Sequence, residues 1–176
     1  MKIFGLMSAL AFVLLVGLPP VGWVRAQDVA TDFSGRNPSV QEIEDALVLT
    51  LQTRGVEKKL PGAASFDQIT FKFNSSELSN DAKRLLDKIG AALKSERVKD
   101  FSFDIEGHTD AKGSDAYNMA LSKRRAESAK EYLVATLGIN AQRLVVVPRG
   151  KTDLLYPDDP ENAKNRRVVF RGILDK

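Results

Sequence analysis

The chain has 176 residues, 43% of them hydrophobic, which is enough for one packed domain with attachments and excludes general disorder. It has no cysteine, which excludes disulfides, thiolate nucleophiles, cysteine-ligated zinc and a lipid acceptor near the N-terminus. Its formal net charge is only +3, and its basic cluster Lys123-Arg124-Arg125 lacks interleaved aromatic residues for stacking bases, so no nucleic-acid partner is expected.

The N-terminus reads as a secretory signal. Lys2 supplies a short positive region, Ile3 to Leu18 form an apolar run, and Pro19-Pro20 break it ahead of Val24-Arg25-Ala26. Cleavage after Ala26 is expected, with an uncleaved inner-membrane anchor as the alternative, because no charge falls between Ile3 and Val24. Cleavage removes Lys2 and Arg25 and no acid, which leaves 24 of the 26 bases against 23 acids. Residues 27–63 read as a linker with one amphipathic helix. Ser39-Val40-Gln41-Glu42 fits a capping box, and Val40, Ile43, Leu47 and Leu51 keep helical spacing over about 39–53, with Gly55 as the stop. Pro61-Gly62 marks the junction to a domain over 64–176.

Within that domain Ile69, Phe71 and Phe73 alternate with Thr70 and Lys72, which predicts a strand with one buried face. Ser79 caps a predicted helix whose Ala82, Leu85, Leu86, Ile89, Ala92 and Leu93 make one apolar stripe. Phe101, Phe103 and Ile105 predict a second strand ending at a Gly107 turn. A second helix runs from about Ser114 to Leu137 and stops at Gly138. Arg143–Val147 and Arg167–Ile173 supply two more strands. The order β-α-β-α-β-β with one-sided helices predicts an α+β fold, with both helices on one face of a mixed four-stranded sheet.

One stretch, GHTDAKGSDAYNMALSKRRA over 107–126, carries the candidate chemistry. On a helical wheel Asn118, Arg125, Ala129 and Tyr132 share a narrow arc, opposite Lys123, Glu127, Lys130 and Glu131. Asp110 sits in the loop at the same helix end. The pair has two readings: an internal Asp110–Arg125 ion pair fixing the loop, or a site for a zwitterion. In the second, Asp110 accepts from an ammonium and Arg125 grips a carboxylate with its planar fork. Asn118 serves either reading.

Gly107-His108-Thr109-Asp110, Gly113, Asn118, Leu121-Ser122, Arg125-Ala126 and Asn165-Arg166-Arg167-Val168 occur in an order that resembles the OmpA-like C-terminal domain family. Phe71-Lys72-Phe73-Asn74-Ser75 resembles that family's entry strand, and the resemblance spans about residues 64–173. The helix and Thr53-Arg54-Gly55 ahead of it are similar to stand-alone alphaproteobacterial members. The resemblance implies non-covalent binding of peptidoglycan through the diaminopimelate of its stem peptide. It implies Asp110 for the ligand's amino group, Arg125 for its carboxylate, Asn118 and Arg167 as supports, and Thr109 and Asn74 at the rim. It also implies a periplasmic module associated with the outer membrane or cell wall, with outer-membrane or envelope proteins as further partners. The chain departs from the family at Pro148-Arg149-Gly150-Lys151, where members often carry Gly-x-Gly-Glu.

Three rival functions follow from the same residues. An enzyme or metal site is not expected, because His108 is the single histidine and no nucleophile is forced near the acids Asp104, Glu106 and Asp110. No cofactor is expected either. A stator subunit would need an ionisable residue inside its membrane helix, and residues 3–24 hold none. A scaffold of the same fold without ligand is the remaining alternative. Residues 27–64 are too few for a membrane barrel of about eight strands.

Overall fold

The computed structural model describes residues 30–53, 56–70 and 77–173. The expected signal segment, the helix stop expected at Gly55, and the entry strand expected at Phe71–Ser75, with Asn74, lie outside the described residues.

The N-terminal segment is part of the domain rather than a linker. Thr31–Asp32 forms β1, which pairs in parallel with β4, Ala63–Phe66, at the edge of the main sheet. Phe33 is buried and its ring stacks on Phe66, with centroids 5.4 Å apart. Helix α1 spans Val40–Leu47 and begins with the expected capping box: Ser39 accepts from the Glu42 N–H, and the Glu42 carboxylate accepts from the Ser39 N–H. Burying Ile43 and Leu47 completely stabilises the domain by about 1.5–3 kcal/mol each.

The helix ends earlier than its apolar spacing implied. Val48–Thr53 is strand β2, paired antiparallel with β3, Val56–Pro61, in a separate two-stranded sheet. Leu51 therefore lies on an exposed hairpin rather than on a helical stripe. The run Val48-Leu49-Thr50-Leu51-Gln52-Thr53 is rich in β-branched residues, and that preference prevails once the helix no longer has core to cover.

Helix α2, Asn80–Lys94, starts at Ser79, whose hydroxyl accepts from the Ala82 N–H. Its stripe is buried as expected. Strand β5 is Ser102–His108, helix α3 is Asp115–Glu131, β6 is Leu144–Gly150 and β7 is Val168–Ile173. Helix α3 continues into a π-helical turn at Tyr132–Thr136, and Gly138 then ends the segment at φ +68°. The main sheet has five strands in the order β1-β4-β7-β5-β6; β5, β6 and β7 answer to expected strands, whereas β1 and β4 were not expected, and Ile69 and Thr70, read as the start of the first strand, lie outside any strand. β5 pairs in parallel with β6 and antiparallel with β7, so the sheet is mixed.

Phe103 and Ile105 alternate with Asp104 and Glu106, and the apolar set packs under the helices with Leu86, Leu93, Leu133 and Phe170. Arg143 closes one end of this layer, its guanidinium donating to the carbonyls of Leu93, Val98 and Phe101 at 2.9 Å each. The Leu93 carbonyl lies in the last turn of α2, where backbone acceptors lack helical partners.

Candidate ligand-binding cleft

Gly107 is not a turn residue. It lies inside β5, and a Cβ there would come within 2.2 Å of the Ser122 carbonyl oxygen on α3. Its lack of a side chain lets helix and strand approach closely. Ser122 then reaches across the contact: its hydroxyl accepts from the Gly150 N–H at 3.0 Å and donates to the Met119 carbonyl at 2.9 Å. The register of β5 and β6 shifts between Gly107 and His108, so His108 faces Gly150. This places the loop after β5 directly over the start of α3 and beside β6.

Asn118 is 2% exposed, and its side-chain amide donates to the Lys112 carbonyl at 2.9 Å. It holds the loop carrying Asp110 against the helix. Gly113 supplies the left-handed turn that this path needs, with φ +94°. Thr109 is also 2% exposed, so it lies beneath the cleft rather than at its rim, and its N–H donates to the Gly150 carbonyl at 2.8 Å. Asp110 Oδ2 accepts from Arg166 Nη1 at 2.8 Å, and Oδ1 accepts from the Lys112 N–H.

Arg125 lines a cavity of about 260 Å³ together with Arg166, Arg167, His108, Thr70 and Asp67. Burial lowers the Arg125 guanidinium from its ordinary value and neighbouring Arg166 lowers it further, while Tyr117 and Asp110 act in the opposite sense. The group stays cationic at neutral pH. Arg167 is almost fully buried, and both its terminal nitrogens donate to the Asp153 carbonyl at 3.2 Å. Burial lowers its pKa as well. His108 is buried, with Nδ1 3.3 Å from the same carbonyl, and burial lowers its pKa, which favours the neutral ring.

Three guanidiniums thus meet one small cavity, and Asp110 is tied to one of them. The structure brings together Asp110, Asn118, Thr109, Arg125 and Arg167, while Asn74 lies outside the described residues. Sequence reasoning did not assign Arg166 or His108 a role. The adjacent Arg166-Arg167 pair in the Asn165–Val168 motif was the available signal for the first. Asn165 braces that motif: it is fully buried, accepts from the Tyr156 N–H at 2.9 Å and donates to the Pro160 carbonyl at 3.1 Å.

Behind the cleft, Glu106 lies buried under Arg149 and Arg171. Burial would raise its carboxyl, but the Arg171 and Arg149 guanidiniums that donate to it, with His108 Nε2 3.7 Å away, outweigh that and hold it well below the usual carboxylate range. The Pro148–Lys151 departure has a visible consequence. Lys151 Nζ pairs with Asp115 at 2.8 Å and donates to the Gly113 carbonyl at 3.0 Å, adding a second tie on the loop that Asn118 holds.

The chain belongs to the OmpA family, whose sequence profile matches residues 70–167, the segment that carries His108, Asp110, Arg125, Arg166 and Arg167. Outer membrane protein A of Escherichia fergusonii is 35% identical over 102 residues, covering 58% of this chain and 42% of that protein. The chain therefore spans less than half the length of that relative. The peptidoglycan-associated lipoprotein of Pseudomonas aeruginosa is 37% identical over 123 residues, covering 66% of this chain and 70% of that protein. The OmpA-like domain of FopA1 from Francisella tularensis matches in fold, with a TM-score of 0.53 at 16% identity over 73% of this chain and 83% of that one. Among the described residues no helix is long and apolar enough to cross a membrane.

Proposed function

We propose that the cleft binds peptidoglycan non-covalently, through the diaminopimelate of its stem peptide, and that the protein thereby links envelope components to the cell wall without catalysing a reaction. The observation that carries this reading is the meeting of Arg125, Arg166 and Arg167 at one cavity, with Asp110 bonded to Arg166. A zwitterionic amino-acid centre needs a planar cation for its carboxylate and an anion for its ammonium, and both are present. The cavity, about 260 Å³, is smaller than the roughly 300–1,000 Å³ of pockets that enclose drug-sized molecules. It suits one residue-sized group protruding from a polymer that otherwise stays in solvent. Similarity to a protein named a peptidoglycan-associated lipoprotein supports the same ligand class.

In this reading the Asp110–Arg166 pair is the resting state of the acid. The ligand ammonium takes over part of Arg166's place at Asp110, and the ligand carboxylate engages Arg125. Asn118 and Thr109 contribute by fixing the loop, Arg167 by fixing the cavity floor, and Asn74 is assigned a place at the rim from the sequence motif alone. The periplasm, where the cell wall lies, is the setting that this function requires.

Retention on purified cell-wall sacculi tests the reading, with free ligand as competitor. Diaminopimelate should displace the protein, and lysine should displace it poorly, because lysine lacks the second amine–carboxylate centre. Equal displacement by both, or release of soluble muropeptides during incubation, would overturn it.

A further inference from the structure

The β2–β3 hairpin projects from the domain with most of its residues exposed, and nothing in the cleft accounts for it. Leu51 and Val56 are 49% and 64% exposed, the highest values among the large exposed hydrophobics of the described residues. Register places Leu49 opposite Leu60 and Leu51 opposite Lys58, so these side chains share one face with Val56. Thr50, Gln52, Glu57 and Lys59 occupy the other. An isolated two-stranded hairpin is marginal in water, and three or more strands are the usual route to stability.

The two edges of this ribbon differ. β3 carries Glu57, Lys58 and Lys59, and it leads into the main body, where the Gly172 N–H donates to the Gly62 carbonyl at 2.7 Å. β2, Val48–Thr53, carries no charge, and its strand partner among the described residues is β3 alone. A long, uncharged, β-prone edge is a template for another strand.

The hydrogen-bond phase of that edge can be read directly. The Gly62 N–H donates to the Leu47 carbonyl at 2.8 Å, which makes Leu47 and Gly62 a hydrogen-bonded pair. Antiparallel pairs alternate, so the backbone groups of Leu49, Leu51 and Thr53 face β3, and those of Val48, Thr50 and Gln52 face outward. The Val48 N–H is already donated to the Glu44 carbonyl at the end of α1. Thr50 is therefore the central residue whose N–H and C=O both point to open edge.

We propose that the outer edge of β2 is a self-association surface, pairing antiparallel with β2 of a second copy about a two-fold axis at Thr50. The two Thr50 residues exchange a pair of backbone hydrogen bonds, and each Gln52 N–H meets the Val48 carbonyl of the second copy. Leu49 and Leu51 come opposite Leu51 and Leu49 of the other chain, which builds an apolar stripe along the middle of a four-stranded ribbon. Lys58 falls on the outer strands, where its aliphatic stem covers the leucines and its charge stays apart from its symmetry mate. The occupant is a second copy because the contact is self-complementary and free of like-charge cost. Pairing through β3 about its outward-facing Glu57 or Lys59 would instead set that charge against its own equivalent. This inference does not depend on the ligand proposed for the cleft.

The absence of cysteine makes the test unambiguous. Thr50→Cys should form an intermolecular disulfide when the purified protein is treated with oxidised glutathione, because a hydrogen-bonded antiparallel pair holds its Cα atoms about 5.5 Å apart, inside the disulfide range. Glu57→Cys lies on the outer strand, at least roughly 14 Å from its mate by strand spacing, and should remain monomeric on a non-reducing gel. Adding Leu51→Lys to Thr50→Cys should slow disulfide formation at least tenfold while leaving retention on sacculi unchanged. Equal cross-linking at residues 50 and 57, or none at 50 in protein that sediments as a monomer, would overturn the proposal. So would capture of a different protein at Thr50.

Discussion

Gly107→Ala places a methyl group 2.2 Å from the Ser122 carbonyl oxygen and 2.9 Å from its carbon, where ordinary contact needs more than 3.4 Å. Both atoms belong to the α3 backbone, so no side chain can rotate away. The helix must move by about 1 Å. Overpacking of this kind costs about 1–3 kcal/mol and at times more. The same movement pulls Ser122 from the buried Gly150 N–H, and an unsatisfied buried donor costs about 1–3 kcal/mol. The expected loss is about 2–6 kcal/mol, a large share of the roughly 5–15 kcal/mol that stabilises a domain. With a urea slope of about 2 kcal/mol/M, the unfolding midpoint should fall by about 2 M. Gly138→Ala is the control, because φ is +68° there and no atom lies within 4 Å of the added Cβ. It should lose only the conformational cost of about 1–2 kcal/mol. A Gly107→Ala midpoint no lower than that of Gly138→Ala would refute the view that close approach of α3 to β5 requires this glycine.

Ser122→Ala should cost about 1–3 kcal/mol in urea unfolding by leaving the Gly150 N–H buried and unpaired, whereas Ser128→Ala, whose hydroxyl bonds at an exposed site, should fall within about 0.5 kcal/mol. Because the Glu106 carboxyl is held below its ordinary value, its contribution to stability is complete above about pH 4.3 and declines as pH falls further; thermal melts should therefore drop more steeply below that pH in the wild type than in Glu106→Gln. His108 is the single histidine, so its imidazole signal in proton NMR should report a pKa below about 6.5, and a value above it would contradict the burial argument. If residues 1–26 are a cleaved signal, N-terminal sequencing of the periplasmic protein should begin at Gln27; Met1 on an inner-membrane form would favour the anchor instead.

Much of this domain was legible because its periodicities are unmixed. The stripe from Ala82 to Leu93 and the alternation at Phe103 and Ile105 each have one reading, and the structure has the helix and the strand. The N-terminal part misled for a physical reason. Val40, Ile43, Leu47 and Leu51 do keep helical spacing, but a capping box fixes only where a helix starts. No comparable signal marks its end at Leu47, and the strand preference of Val48–Thr53 prevails. Glycine beside His108-Thr109-Asp110 reads as a turn in the sequence, whereas the role of Gly107 is a contact with a helix that only the fold brings near. The cleft was partly legible. Asn118 and Arg125 announced themselves as polar residues on an inward face, and Asn118 indeed ties the loop. The Asp110–Arg166 bond spans 56 residues and depends on the buried Asn165 turning Arg166 outward, which no local pattern encodes.

The central claim is that Arg125 and Asp110 hold a zwitterionic ligand, and sacculus retention of Arg125→Lys measures it most directly. Lysine keeps the charge and loses the planar fork that grips a carboxylate through two bonds. Retention should be at least about tenfold weaker than wild type, a change worth roughly 1.4 kcal/mol, with a urea midpoint close to wild type. Asp110→Ala should likewise lose retention. Full retention by Arg125→Lys, or loss of retention only in step with loss of folding, would contradict the claim and leave Arg125 as a structural residue.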